Sequence, residues 1–359
     1  MNVPIPAVSS RLLHLDALKA VAAQLIVLHH LAAYGPVAET VQALWPALIA
    51  WLYDYSRMAV QVFLVVGGFL TARGLAPAGR PLEGAPLSLL WRRYLRLSLP
   101  FIAAVLLTLA CSALVAPLLP ELVPAAVSAP QLLAHALLLH DLLGHEALTV
   151  GAWYVAIDLQ LFALLLALLW LARGSAAARW LGPALVLLLS AASLWVFNLD
   201  ASQDIWALYF FGAYGLGALV HWLGLSRHRR LGIVLLIALA GGALVYEFRE
   251  RLALALATAV LLAWLQQRHQ RGLRLLRGRA AVAVAHLGTH SYALFLVHFP
   301  ICLLVNALFE HKDPEHPWAG AAAMAAAWAL SNLAALPFYR WIEAPAGRLR
   351  LGWARTQQA

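Results

Sequence analysis

The chain has 359 residues, 63% of them hydrophobic and only 11% charged, and its mean hydropathy is +0.79. An average soluble domain carries about 25% charged residues, so the composition excludes a soluble globular domain and implies a polytopic membrane protein. The net charge of +9 does not indicate nucleic acid, because the basic residues flank apolar segments and are not gathered on a soluble face.

A spanning helix needs about 20 mostly apolar residues. The sequence offers about ten such segments, centred on 17–34, 57–75, 98–119, 152–172, 177–198, 205–224, 231–247, 252–267, 286–309 and 318–342. They predict an all-α polytopic membrane protein, with a single transmembrane domain over residues 1–359. The first segment is longer than a signal-peptide core and lacks a small-residue cleavage site, so it is expected to remain attached as the first helix. Cytoplasmic loops accumulate Lys and Arg. With the N-terminus inside, only Arg57, Arg249, Arg251 and Lys312 fall on the outer side, and an even number of spans returns the C-terminus to the cytosol. Cys111 and Cys302 lie within spans, where they read as packing residues rather than a disulfide framework or a metal site.

Several spans contain ionisable residues, which are costly in hydrocarbon and mark pathways or catalytic sites. In the first, Lys19 and His30 are 11 residues apart. That is three helical turns, about 16 Å along one face, and suits a substrate extended across the membrane. Asp16, one turn before Lys19, is placed to pair with it. His29 points elsewhere and is the weaker candidate. Before the third span, Arg92, Arg93 and Arg96 precede Pro100. Guanidinium groups suit bidentate phosphate contacts, so an anionic cytosolic cofactor and plain topology signalling are both compatible with this cluster. No Walker-type loop or dinucleotide fingerprint accompanies it. The outer loop from Glu121 to Gly151 carries His135, His140, Asp141 and His145; it reads either as an acceptor-binding lid or as a solvated loop, and the histidine spacing follows no strong metal pattern.

Asp158 lies about two turns into the fourth span, where a carboxylate needs a partner. His30 or His298 is the expected one, since a carboxylate orients an imidazole in nucleophile-activating arrangements. In the ninth span, Ser291 and His298 are two turns apart on one face, and His298 lies at about the depth of His30, so both imidazoles are expected to border one cavity. Ser291 and Thr289 also suit interhelical hydrogen bonds. The competing class is a proton-coupled secondary transporter, which also uses intramembrane His, Asp and Lys; the matching halves typical of such folds are not visible.

Taken in order, these residues resemble the acyltransferase-3 family of bacterial integral membrane acyltransferases. Leu15-Asp-Ala-Leu-Lys19 followed by His30 is similar to its basic-x10-His signature, and Val62 to Leu70 to its Phe-Phe-x-x-Ser-Gly-Phe element. Arg92 to Arg96 with Pro100, Trp153 to Phe162, Leu287 to Pro300 and Tyr339 to Pro345 resemble the family's later motifs. Lys19 stands where Arg is usual, Gly67 where Ser is usual and Asp158 where Glu is usual. The resemblance implies an O-acyltransferase of the bacterial inner membrane. It would move an acyl group, commonly acetyl from cytosolic acetyl-CoA, to a hydroxyl of a cell-surface or lipid-linked glycan, with no metal. Lys19, Arg92, Arg93 and Arg96 would hold the acyl-CoA. His30 would act as general base or as transient acyl carrier, with Asp158, Lys19 and His298 completing the catalytic set, and Trp153, Ser291 and Tyr292 would bind the acceptor. Some members carry an extra C-terminal hydrolase-like domain. This chain is expected to finish the transfer itself or with a periplasmic partner protein.

Overall fold

The computed structural model describes residues 12–124, 126–273, 276–312 and 316–349. Among these every regular element is helical, as expected for a chain whose backbone groups must be satisfied within each segment in hydrocarbon. The longer helices are α1 (Leu13–Ala33), α4 (Val60–Leu75), α5 (Pro86–Val115), α7 (Ala152–Ala172), α8 (Ala178–Trp195), α9 (Ala207–Leu223), α10 (Arg229–Tyr246), α11 (Glu250–Gln270), α13 (Ser291–Lys312) and α14 (Pro317–Phe338). Shorter ones are α2 (Pro36–Gln42), α3 (Pro46–Tyr55), α6 (Ala129–Ala136), α12 (Gly278–Thr289) and α15 (Ala344–Ala346). Among the described residues, eight helical stretches are long and apolar enough to cross a membrane. Of the segments expected from sequence, α9, at 17 residues, and α11, with charged ends, fall outside these eight but pack into the same bundle.

Three boundaries differ from the expectation. The second span begins earlier, because α3, a 3-10 turn at Ser56–Ala59 and α4 form one stretch from Pro46 to Leu75. The third begins at Pro86, so Arg92, Arg93 and Arg96 lie within α5 and not in a loop before it. Pro100 sits inside α5 and lacks the N–H that would bond the Arg96 carbonyl; one residue on, the Leu97 carbonyl accepts from the Tyr292 hydroxyl at 2.9 Å. The ninth segment is two helices, α12 and α13, separated at His290. There Thr289 and His290 bond back to the Ala285 and His286 carbonyls, and Ser291 Oγ donates to the Gly288 carbonyl. These side chains satisfy the backbone groups that the break would otherwise orphan.

Small residues set the closest helix contacts. A side chain at Gly68 of α4 would fall on the Tyr214 carbonyl of α9, and one at Gly217 of α9 would fall on the Val65 carbonyl of α4. The two glycines therefore let the backbones cross in contact, the usual source of association where lipid removes the hydrophobic drive. Gly288 does the same for α12 on α1, since a Cβ there would lie 2.6 Å from Asp16 Cα.

Candidate active site

His30, near the end of α1, and His298, on the eighth residue of α13, meet in the core of the bundle. His298 Nε2 is 2.9 Å from His30 Nδ1, with the ring centroids 4.8 Å and the ring planes 28° apart. His298 is fully buried and His30 nearly so. The bond network fixes the tautomers of two neutral rings. His298 Nδ1 faces the Leu294 carbonyl at 3.2 Å and must donate to it. Its Nε2 is then a lone pair and accepts from His30 Nδ1–H, which leaves His30 Nε2 bare, the form a general base needs. Tyr34 also packs against His30, with ring centroids 5.9 Å apart, and meets Phe299 edge-on.

His30 lines a chamber of about 680 Å³ that opens at the face opposite the start of α1. Its inner part is aromatic: Trp153 and Phe210 stack at 5.6 Å, with Tyr154 and Phe295 beside them. Its rim carries four carboxylates, Glu121, Asp141, Glu146 and Asp204, and two guanidiniums, Arg57 and Arg251. His29 also lines it, donating from Nδ1 to the Leu52 carbonyl at 3.3 Å. The rim is a folded element rather than a solvated loop. Ser128 and Gln131 form a capping box on α6, and His135 bridges the Gln131 carbonyl and the Leu148 N–H. Asp141 reaches the chamber, whereas His135 and His140 stack on one another, buried, against Phe101.

One turn further in from Tyr154 lies Asp158. Its partner is neither imidazole. Arg93 Nη2 binds Asp158 Oδ2 at 2.5 Å, and the guanidinium lies over the Phe162 ring. The expected pairing with His30 or His298 is therefore corrected: α5 passes beside α7 and supplies the counter-charge, while His30 is oriented by His298. A Cβ on Gly67 would lie 4.0 Å from Asp158 Oδ1 and 3.2 Å from the Tyr214 ring, so a larger residue there would press on this pair. Tyr214 in turn shares a hydrogen bond with Thr71 at 2.7 Å.

The other expected residues divide by position. Lys19 is bound to Asp16 at 2.9 Å, as the spacing predicted. Arg92 and Arg96 are exposed on α5, whereas Arg93 is committed to Asp158. Of the three expected acceptor-binding residues, Trp153 lines the chamber, while Ser291 and Tyr292 are engaged with backbone carbonyls at the α12–α13 break. Sequence reasoning left Tyr34, Phe210 and Glu343 without a role. Glu343, in the π-helical turn Tyr339–Glu343, accepts from the Ala293 N–H and lies within electrostatic reach of Arg96 and Lys19. Its place in the Tyr339 to Pro345 motif was the one signal for it. Among the described residues, no three His, Cys, Asp or Glu side chains converge as a metal site.

A family model described as an acyltransferase domain, Acyl_transf_3, matches residues 12–336, nearly the whole chain. The chain belongs to the acyltransferase-3 family. It is thus a multi-pass membrane acyltransferase, transferring an acyl group other than aminoacyl from a donor to an acceptor. No curated protein and no solved structure matches it.

Proposed function

We propose that this acyltransferase moves an acyl group, acetyl from cytosolic acetyl-CoA, to a hydroxyl of a cell-surface or lipid-linked glycan at the outer side of the bacterial inner membrane. The observation that carries the reading is the bare Nε2 of His30, held by His298 at the inner end of a chamber whose stacked aromatics and rim carboxylates suit a sugar. His30 Nε2 takes the proton of the acceptor hydroxyl as its oxygen forms the new ester bond to the acyl carbonyl. The thioester C–S bond breaks, and the CoA thiolate recovers the proton from His30. His298 is a positioning residue: its Nε2 accepts the His30 Nδ1 proton and stabilises the imidazolium as it forms, the part a carboxylate plays in other triads.

For the donor, Arg92 and Arg96 are one helical turn apart and exposed, which suits the phosphates of an acyl-CoA. Arg93 does not suit that task, because its charge is already used by Asp158. Lys19, on the same face of α1 as His30, lies between the donor end and the imidazole pair. The face on which α1 begins is then cytosolic, in line with the distribution of Lys and Arg. A periplasmic partner protein would deliver or remove the acceptor.

The test is acyl-CoA turnover by the purified protein in liposomes with crude surface glycan as acceptor. CoA release and labelled glycan should both be lost in His30→Ala. Arg92→Gln with Arg96→Gln should raise KM for acetyl-CoA about tenfold at unchanged kcat. If wild-type protein neither binds nor consumes acyl-CoA, or His30→Ala retains full transfer, the reading is wrong.

A further inference from the structure

A second cavity, of about 820 Å³, lies at the other end of the bundle, against the first half of α1. Its walls are aliphatic, formed by Leu18, Val21 and Leu25 of α1, Leu261 and Leu265 of α11 and Val282 of α12. Val21 and Val282 are 61% and 56% exposed, so the slot opens sideways on the apolar flank, where hydrocarbon surrounds a membrane protein. It spans Leu13 to Leu25 of α1, a rise of about 18 Å. One leaflet of hydrocarbon is about 15 Å deep, half of a core of about 30 Å. The slot is thus about one leaflet tall.

Only the end nearest the start of α1 is polar, and it is built for an anion. His14, His269 and Arg277 line it there. His14 is 8% exposed, its ring is 5.5 Å from that of His269, and its Nε2 meets no hydrogen-bond partner among the described residues. A buried imidazole nitrogen without a partner is costly unless a ligand supplies one. At the same end α12 begins. Arg277 is its N-cap residue, no side chain caps the helix, and Gly278 lines the cavity. The free N–H groups and dipole of an uncapped helix start favour phosphate.

We propose that this cavity binds an anionic glycerophospholipid from the leaflet at the start of α1, with its phosphate between Arg277, His14 and the first turn of α12 and an acyl chain along the slot. The sideways opening selects a bilayer lipid over a water-borne anion. The slot's depth selects a lipid whose chain spans one leaflet. This site is independent of the acyl-transfer reading, since it uses no residue of the His30 chamber.

The full-length protein, purified in detergent and delipidated, would be titrated with dioleoylphosphatidylglycerol and bound lipid counted by native mass spectrometry. Wild type should hold one tightly bound lipid. Arg277→Gln, which removes the cation, and Val282→Trp, which fills the slot from its exposed side, should each weaken that binding about tenfold. Dioleoylglycerol, which lacks the phosphate, should not compete. Equal binding by wild type and both variants would overturn the proposal. So would competition by dioleoylglycerol at equal strength, which means an apolar crevice only, or by soluble glycerol phosphate, which means an anion site only. As a measurement free of any folding defect, a diazirine-bearing phosphatidylglycerol crosslinked to wild type should label Leu18, Val21 and Val282; labels confined to other surfaces would likewise overturn it.

Discussion

The pairing of Asp158 with Arg93 has a consequence that an Asp158–imidazole pair would not. Arg93 Nη2 and Asp158 Oδ2 are 2.5 Å apart, with side-chain exposures of 22% and 8%. Asp158→Asn keeps the shape but strands the guanidinium, and Arg93→Met strands the carboxylate. Removing one partner of a buried ion pair costs about 3–5 kcal/mol, whereas replacing both is close to neutral. Each single variant should therefore lower Tm by roughly 4–7 °C, while the double variant recovers most of the loss, a coupling of about 6 kcal/mol or more. The assay is thermal unfolding of the detergent-purified protein followed by tryptophan fluorescence, with all four corners of the cycle measured together. Additive losses in the double variant would refute the pairing. So would an Asp158→Asn protein of unchanged Tm whose only defect is an altered pH profile of turnover, the signature of a carboxylate bound to the His30 imidazole.

Three further outcomes follow from the geometry. His298→Phe takes away the imidazole acceptor of His30 Nδ1–H, so kcat should fall about a hundredfold at unchanged KM for acyl-CoA; a loss under about fivefold in single-turnover measurements would remove His298 from the mechanism. Gly68→Ala drives a methyl into the Tyr214 carbonyl and should cost more than the ~1–3 kcal/mol of ordinary overpacking, whereas Gly74→Ala on the same helix meets nothing within 4 Å and should leave Tm unchanged. Burial pushes His135 and His140, in the element at the chamber rim beside Asp141 and His145, down to about 4. Their folded values lie below the ordinary 6.5, so the stability they contribute is present above about 6.5 and is lost as pH falls toward about 4; limited proteolysis between Val115 and Ala152 should accelerate over that window, and His140→Phe should flatten the response.

Some features could be read from the sequence alone because the physics behind them is local. Long charge-poor runs must be helices in hydrocarbon, so the spans were legible, and i,i+3 geometry tied Lys19 to Asp16 within a single helix. Depth put His30 and His298 at one height, since each position along a spanning helix has a fixed height, but the expected shared border on one cavity did not follow: His30 lines the chamber and His298 is buried behind it. What height cannot give is azimuth, the direction in which a side chain points around the bundle. Asp158 shared a depth with several partners, and only the packing of α5 against α7 gave it Arg93 in place of a histidine. The break at His290 was hidden because its stabilising bonds run from Thr289, His290 and Ser291 to nearby carbonyls that an unbroken apolar pattern does not reveal. The chamber itself is assembled from α1, the turn at Ser56–Ala59, α4, α7, α9, the start of α11, α13 and the segments at 121–151 and 204–205, stretches that no sequence periodicity links. Tertiary structure decided these points because glycine contacts such as Gly68 on Tyr214 fix how helices rotate against each other, and rotation determines which charges meet.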